Sequence, residues 1–153
     1  MIKKKRLFFS IFAILTLLMT AFIFSNSLLV AEASAERSGR FIPLLQKILS
    51  SVGIDADSDT LSFIIRKTAH FLEYFLLCAL ASGVVLSQTE RESFLIFSPV
   101  YCFLVAVCDE FIMQGMTEGR SAEWRDVGID VSGALLCLCV VLITIKLIKR
   151  NRR

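Results

Sequence analysis

The stretch RKTAHFLEYF, residues 66–75, sets Arg66, Lys67, His70, Glu73 and Tyr74 at the head of the apolar run Leu76 to Leu86. An imidazole three residues from a carboxylate suits proton transfer, with Glu73 orienting His70. The guanidinium of Arg66 and the ammonium of Lys67 suit an anionic group such as phosphate. Two further stretches carry the same kind of chemistry. VAVCDEFIMQG supplies Asp109, Glu110 and Gln114, and GRSAEWRDVGIDVSGALL supplies Arg120, Asp126 and Asp130. The candidate catalytic residues are therefore His70, Glu73, Asp109 and Glu110. The candidates for holding a substrate are Arg66, Lys67, Tyr74, Gln114, Arg120, Asp126 and Asp130.

Spacing groups these side chains. At about 100° per helical residue, Arg66, Lys67, His70, Glu73 and Tyr74 fall within a sector of roughly 120°, opposite Leu72, Phe75 and Leu76. Glu110 and Gln114 are four apart and share a face, and Asp126, Asp130 and Gly133 form one stripe. Ion pairs are available between Arg66 or Lys67 and Glu73, and between Arg120 or Arg125 and Asp126, should these groups form a structural network. With His70 the single histidine, zinc would need carboxylates for its other ligands, so the sequence disfavours zinc. It leaves open an oxygen-rich divalent cation site using Asp109, Glu110, Asp126 or Asp130. No G-x-S-x-G or Cys–His nucleophile signature occurs, and Ser121 reads as a loop residue.

The elements that must position these groups are greasy. Hydrophobic residues make up 56% of the 153, and mean hydropathy is +0.70. Four blocks approach the roughly 20 apolar residues that a membrane-spanning helix needs: about 7–24, 69–86, 94–113 and 127–148. The expected fold is an all-α integral membrane protein, a single domain of four spanning helices. Between the first two, Arg40 to Val52 carries Phe41, Ile42, Leu44, Leu45, Ile48 and Leu49 at helical spacing, with Pro43 in the first turn. This segment predicts an amphipathic helix lying on the membrane surface. Asp59 or Thr60 is expected to cap the second helix, Pro99 to bend the third, and Trp124 to anchor its loop at the interface. The five cysteines all fall in apolar blocks without a CxxC pair and read as small buried hydrophobes.

Basic residues orient the helices. MIKKKR carries four, KLIKRNRR five, and the turn SQTERES adds Arg91, against Glu90 and Glu92 on that side. The opposite side carries seven basic residues and all twelve remaining acids. Both termini are expected in the cytoplasm. A rival reading takes the N-terminus as a secretory signal with A-x-A sites at Ala31/Ala33 and Ala33/Ala35, but its uninterrupted run exceeds the usual 7–15 apolar residues. An uncleaved anchor is the expectation. In this orientation Glu73, Asp109 and Asp130 lie about 5–10 Å inside the outward mouths of their helices. A charge at membrane depth costs about 2.5–3.5 kcal/mol. Such a layer therefore reads as a cavity open to the outer leaflet, or as a buried ion-pair network.

Three blocks then carry a likeness: RKTAHFLEY, with K-x-x-H-x-x-E-Y; CDEFIMQGMTEGR, with D-E-x-x-x-Q and G-R; and RDVGIDVSGA, with D-x-x-x-D-x-x-G. In order and spacing the chain resembles the VanZ-like membrane proteins over about residues 60 to 140, and FSNS and AEASAERSG are similar too. The resemblance implies a small multi-pass protein of the bacterial plasma membrane and cell envelope. It also implies a role in antibiotic resistance, lowering susceptibility to teicoplanin, a glycopeptide with a fatty acyl tail. Two functions remain open at this stage: an enzyme acting on a lipid or cell-wall precursor headgroup, and a protein that binds a lipoglycopeptide without turnover. Transport is the weaker reading, because the acids are confined to one leaflet. The expected partners are membrane lipid, a lipid-linked headgroup or a lipoglycopeptide, and not nucleic acid. Cofactor identity, oligomeric state and turnover are left open by the sequence.

Overall fold

A computed structural model describes residues 2–28, 36, 39, 42–51, 57–117 and 122–151. The long helices are α1 (Ile2–Ser27), α3 (Ser58–Gln88), α4 (Phe97–Cys108) and α5 (Trp124–Asn151), with the short α2 (Ile42–Ser51) between the first two. A 3-10 turn, Glu92–Ile96, leads into α4, and a π-helical turn, Asp109–Gln114, extends it. Together these make the third span, Glu92–Gln114. All four spans are long and apolar enough to cross a membrane. The protein is an all-α membrane bundle with an interfacial helix.

Each end has a local cause. Asp57 starts α3: its carboxylate accepts from the Thr60 backbone N–H at 2.8 Å and from the Thr60 hydroxyl at 2.7 Å. Those bonds, the backbone one first, hold the Asp57 carboxyl below the usual carboxylate range. The cap is thus Asp57 in place of the expected Asp59 or Thr60, and it lets α3 run well ahead of the apolar block at 69–86. Pro99 is the third residue of α4 and buried. It sits just past the switch from the 3-10 turn to the α-helix, in a first-turn position where the missing N–H costs that helix no bond of its own. In α2, Leu44 and Ile48 are exposed and no residue is buried, as suits a helix lying against lipid. The remaining residues of that expected segment, 40, 41 and 52, lie outside the described residues, as do Ala31, Ala33 and Ala35.

The central helix is α3. It packs most extensively on α5, then on α1 and on α4. The core is made of small and medium side chains: Ile23, Leu77, Cys78, Cys102, Val105, Ala106, Val127, Ala134 and Cys137, with Tyr74 the one large ring. The Cys78 thiol lies within hydrogen-bonding reach of Cys102 and Cys137, where α3, α4 and α5 meet. The bulky residues face outward instead, Leu17, Leu18, Leu104 and Ile143 among them. Small groups inside and large ones outside suit helices that associate by close packing within lipid. The tightest approach is at Gly133, where a Cβ would run into the Phe71 carbonyl oxygen of α3.

Candidate functional site

The polar groups of four helices meet at one end of the bundle. They lie at the C-terminal end of α1, the first half of α3, the π-helical turn after α4, and the start of α5. Connections alternate direction, so these segments share one level.

On α3 the polar sector turns inward. Tyr74 is wholly buried, Arg66, Lys67, His70 and Glu73 are partly buried, and Leu72 and Leu76 face out. Gly133 brings α5 against this face, and the Asp126–Asp130 stripe meets it. Lys67 Nζ donates to Asp126 Oδ2. His70 Nδ1 stands 3.7 Å from Asp130 Oδ1. Lys67 and Arg125 both lie over the Phe63 ring, at 5.3 and 5.9 Å from its centroid.

The π-helical turn shapes the third contribution. Its wider winding, with Gly115 N–H bonded back to the Glu110 carbonyl at 3.2 Å, carries Asp109, Glu110 and Gln114 inward together. Asp109 and Glu110 are fully buried. Gln114 Nε2 donates to Glu110 Oε2 at 2.5 Å, the contact that their spacing of four predicts, and lies 3.4 Å from Asp109 Oδ2. Glu110 Oε1 accepts the Glu123 backbone N–H at 2.9 Å, and Phe111 packs on Trp124 with ring centroids 4.6 Å apart. Trp124 therefore clasps the end of the third span, while its largely exposed face remains free to meet the interface.

Helix α1 completes the site. Asn26 Nδ2 donates to Glu73 Oε1 at 3.0 Å, and Ser27 Oγ donates to Asp109 Oδ2 at 2.9 Å. Thr117 Oγ1 lies 3.2 Å from the Ser27 carbonyl. Neither Asn26 nor Ser27 was among the sequence candidates. Their signal is a Ser-Asn-Ser cluster closing an otherwise apolar helix.

Several of the partnerships available in the sequence are replaced. Glu73 bonds to Asn26 of α1, and no Arg66 or Lys67 pair with it is seen, because Lys67 points to α5. Asp126 takes Lys67, while Arg125 stays exposed over Phe63. His70 meets Asp130 across the α3–α5 contact, and Glu73 faces α1. Arg120 and Ser121 lie outside the described residues. A nitrogen of His70 and one oxygen each of Asp109 and Asp130 lie within 4.8 Å of one another, a group able to hold a metal ion. Zinc, disfavoured by the lone histidine, is thus compatible with the carboxylates that converge here.

Four spanning helices with a buried polar site at one end define a small multi-pass membrane protein. The chain matches the VanZ/LLP1 family over residues 12–146 and belongs to it. No curated protein and no solved structure matches the chain.

Proposed function

We propose that the polar end of the bundle is a headgroup site. It opens to the outer leaflet of the bacterial plasma membrane, with both termini in the cytoplasm. It receives the polar part of an amphiphile, either a lipid or cell-wall precursor headgroup or a lipoglycopeptide of the teicoplanin kind. One observation carries this reading: His70, Glu73, Asp109, Glu110 and Asp130 come from three separate stretches of the chain and converge at one end of the apolar spans. Keeping that many ionisable groups there is costly, which favours a use for them. The orientation rests on basic residues of the opposite end, Lys3 to Arg6, Arg91, Lys146, Lys149 and Arg150. In this site Arg66 and Lys67 attract an anionic headgroup, a role the sequence also assigns to Arg120, the carboxylates meet amino groups, and His70, Glu73, Asp109 and Glu110 move protons.

A second reading has its own support. The Lys67–Asp126 and His70–Asp130 pairs join α3 to α5, as a purely structural network would. The deciding experiment expresses the chain in a teicoplanin-sensitive bacterium. Drug susceptibility is read beside membrane abundance and melting temperature. His70→Ala, Glu73→Gln, Glu110→Gln and Arg120→Lys should each abolish protection while abundance stays near wild type; the last keeps charge but loses the planar fork. If protection falls only in step with abundance, the residues hold the bundle together and the site reading fails.

A further inference from the structure

We propose that His70, Asp109 and Asp130 form a binding site for one divalent transition-metal ion, zinc or manganese in kind. The three ligands come from α3, the π-helical turn and α5, so the site forms only where those elements meet. The His70 Nδ1 to Asp130 Oδ1 separation of 3.7 Å is long for a hydrogen bond. It is close to the roughly 3.4 Å between two ligands that each stand about 2.1 Å from one tetrahedral ion. The third ligand atom, from Asp109, lies within 4.8 Å of both. Side-chain shifts on the order of 1 Å would bring all three ligand atoms from within 4.8 Å of one another to ion-binding distance, a small change by rotamer standards.

A second observation points the same way. Asp130 is 2% exposed and Tyr74 0%, yet among the described residues Asp130 Oδ2 and the Tyr74 hydroxyl have no hydrogen-bond partner. Buried polar atoms without partners are rare, and each calls for an explanation such as strain, a water or a bound ion. Tyr74 lies within electrostatic range of both Asp109 and Asp130. A metal held by both oxygens of the Asp130 carboxylate, with a bound water beside the Tyr74 hydroxyl, would supply both atoms with partners. Outer support is already in place, since Ser27 and Gln114 amide or hydroxyl donors hold Asp109 Oδ2.

Donor chemistry narrows the ion. One imidazole with two carboxylates suits zinc or manganese better than magnesium or calcium, which favour oxygen alone. Three protein ligands leave an open position, as in catalytic zinc sites. That this position takes a headgroup oxygen rests on the function proposed above; the metal site itself does not.

The test uses the full chain in detergent micelles, stripped with EDTA and then dialysed against zinc chloride, manganese chloride or magnesium chloride. Metal content by mass spectrometry should reach about one zinc or manganese per chain, with a raised melting temperature, and magnesium should give neither. His70→Gln and Asp130→Asn should each weaken binding at least about tenfold. Glu90→Gln, an exposed residue at the other end of the bundle, should bind as wild type. Metal-free Asp130→Asn should melt at or above metal-free wild type, which shows that it folds. Wild-type content below about one-tenth of an ion per chain, or undiminished binding in Asp130→Asn, overturns the site. Because no amphiphile is present, this result is independent of drug susceptibility.

Discussion

At the polar end of the bundle, Glu73, Asp109, Glu110 and Asp126, from the second, third and fourth spans, each accept a hydrogen bond from a side chain or a backbone N–H. Gly133 lets α3 and α5 touch backbone to backbone there. At the opposite end, Ala13, Thr16, Ala81, Val84, Phe97 and Tyr101 are among the residues lining a cavity of about 320 Å³ with almost wholly apolar walls. The charges beyond that cavity form exposed pairs, Lys149–Glu92 at 2.7 Å and Lys5–Glu90 at 3.9 Å. Such pairs contribute little. One end is held by directional bonds that tolerate no change of spacing. The other is held by packing that lipid tails can complete. Tolerance to substitution should therefore differ sharply between the two.

The largest contrast is expected between two glycines. Gly133→Ala pushes a methyl against the Phe71 backbone carbonyl, which cannot move without shifting α3. Overpacking of this sort costs about 1–3 kcal/mol, and it should also part His70 from Asp130. Gly83→Ala meets the ring of Phe12, a partly exposed side chain that can swing into lipid, so its cost should stay under about 1 kcal/mol. Melting temperatures of the two variants in detergent decide this. Equal losses would erase the difference between the ends.

Next in size is Lys67→Met. It strands Asp126, whose side chain is 19% exposed, and should cost about 2 kcal/mol, between the values for surface and buried pairs. The double variant Lys67→Met with Asp126→Leu should recover most of that loss, since two packed apolar groups leave no charge unpaired. A double variant as unstable as the single one would show that the pair does more than neutralise charge.

The smallest effect should come from filling the cavity. Ala81→Val adds two methyl groups to its wall and should leave stability unchanged or raise it by about 0.5–1 kcal/mol, with susceptibility to teicoplanin unaltered. A loss of protection here would link the apolar end to the site.

The helices were legible because a spanning segment writes itself as an unbroken apolar block, and the polar sector of α3 because its residues recur at helical spacing. The inward turn of Tyr74 and the Glu110–Gln114 contact follow from the same periodicity. Partner choice was not legible. Whether Lys67 meets Glu73 or Asp126 depends on which helix lies across from it, and that is decided by close approach at Gly133. The π-helical turn was also hidden, since Asp109–Gln114 has no proline or glycine to announce it, and regular helix geometry would put Gln114 farther from Asp109. The bonds of Asn26 and Ser27 to Glu73 and Asp109 were not legible either, because small polar residues at a helix end read first as a boundary.

The bonds between helices have a direction in time as well as in space. Asn26 precedes Glu73, Ser27 precedes Asp109, Lys67 precedes Asp126, and His70 precedes Asp130. In every one of these pairs the acid leaves the ribosome after its partner. Ser27 and Asp109 are 82 residues apart, so at about 5–20 residues per second the hydroxyl waits on the order of ten seconds for its carboxylate. Each of these four acids is thus made when its companion is already part of the chain, so none of them has to wait for a partner still to be synthesised.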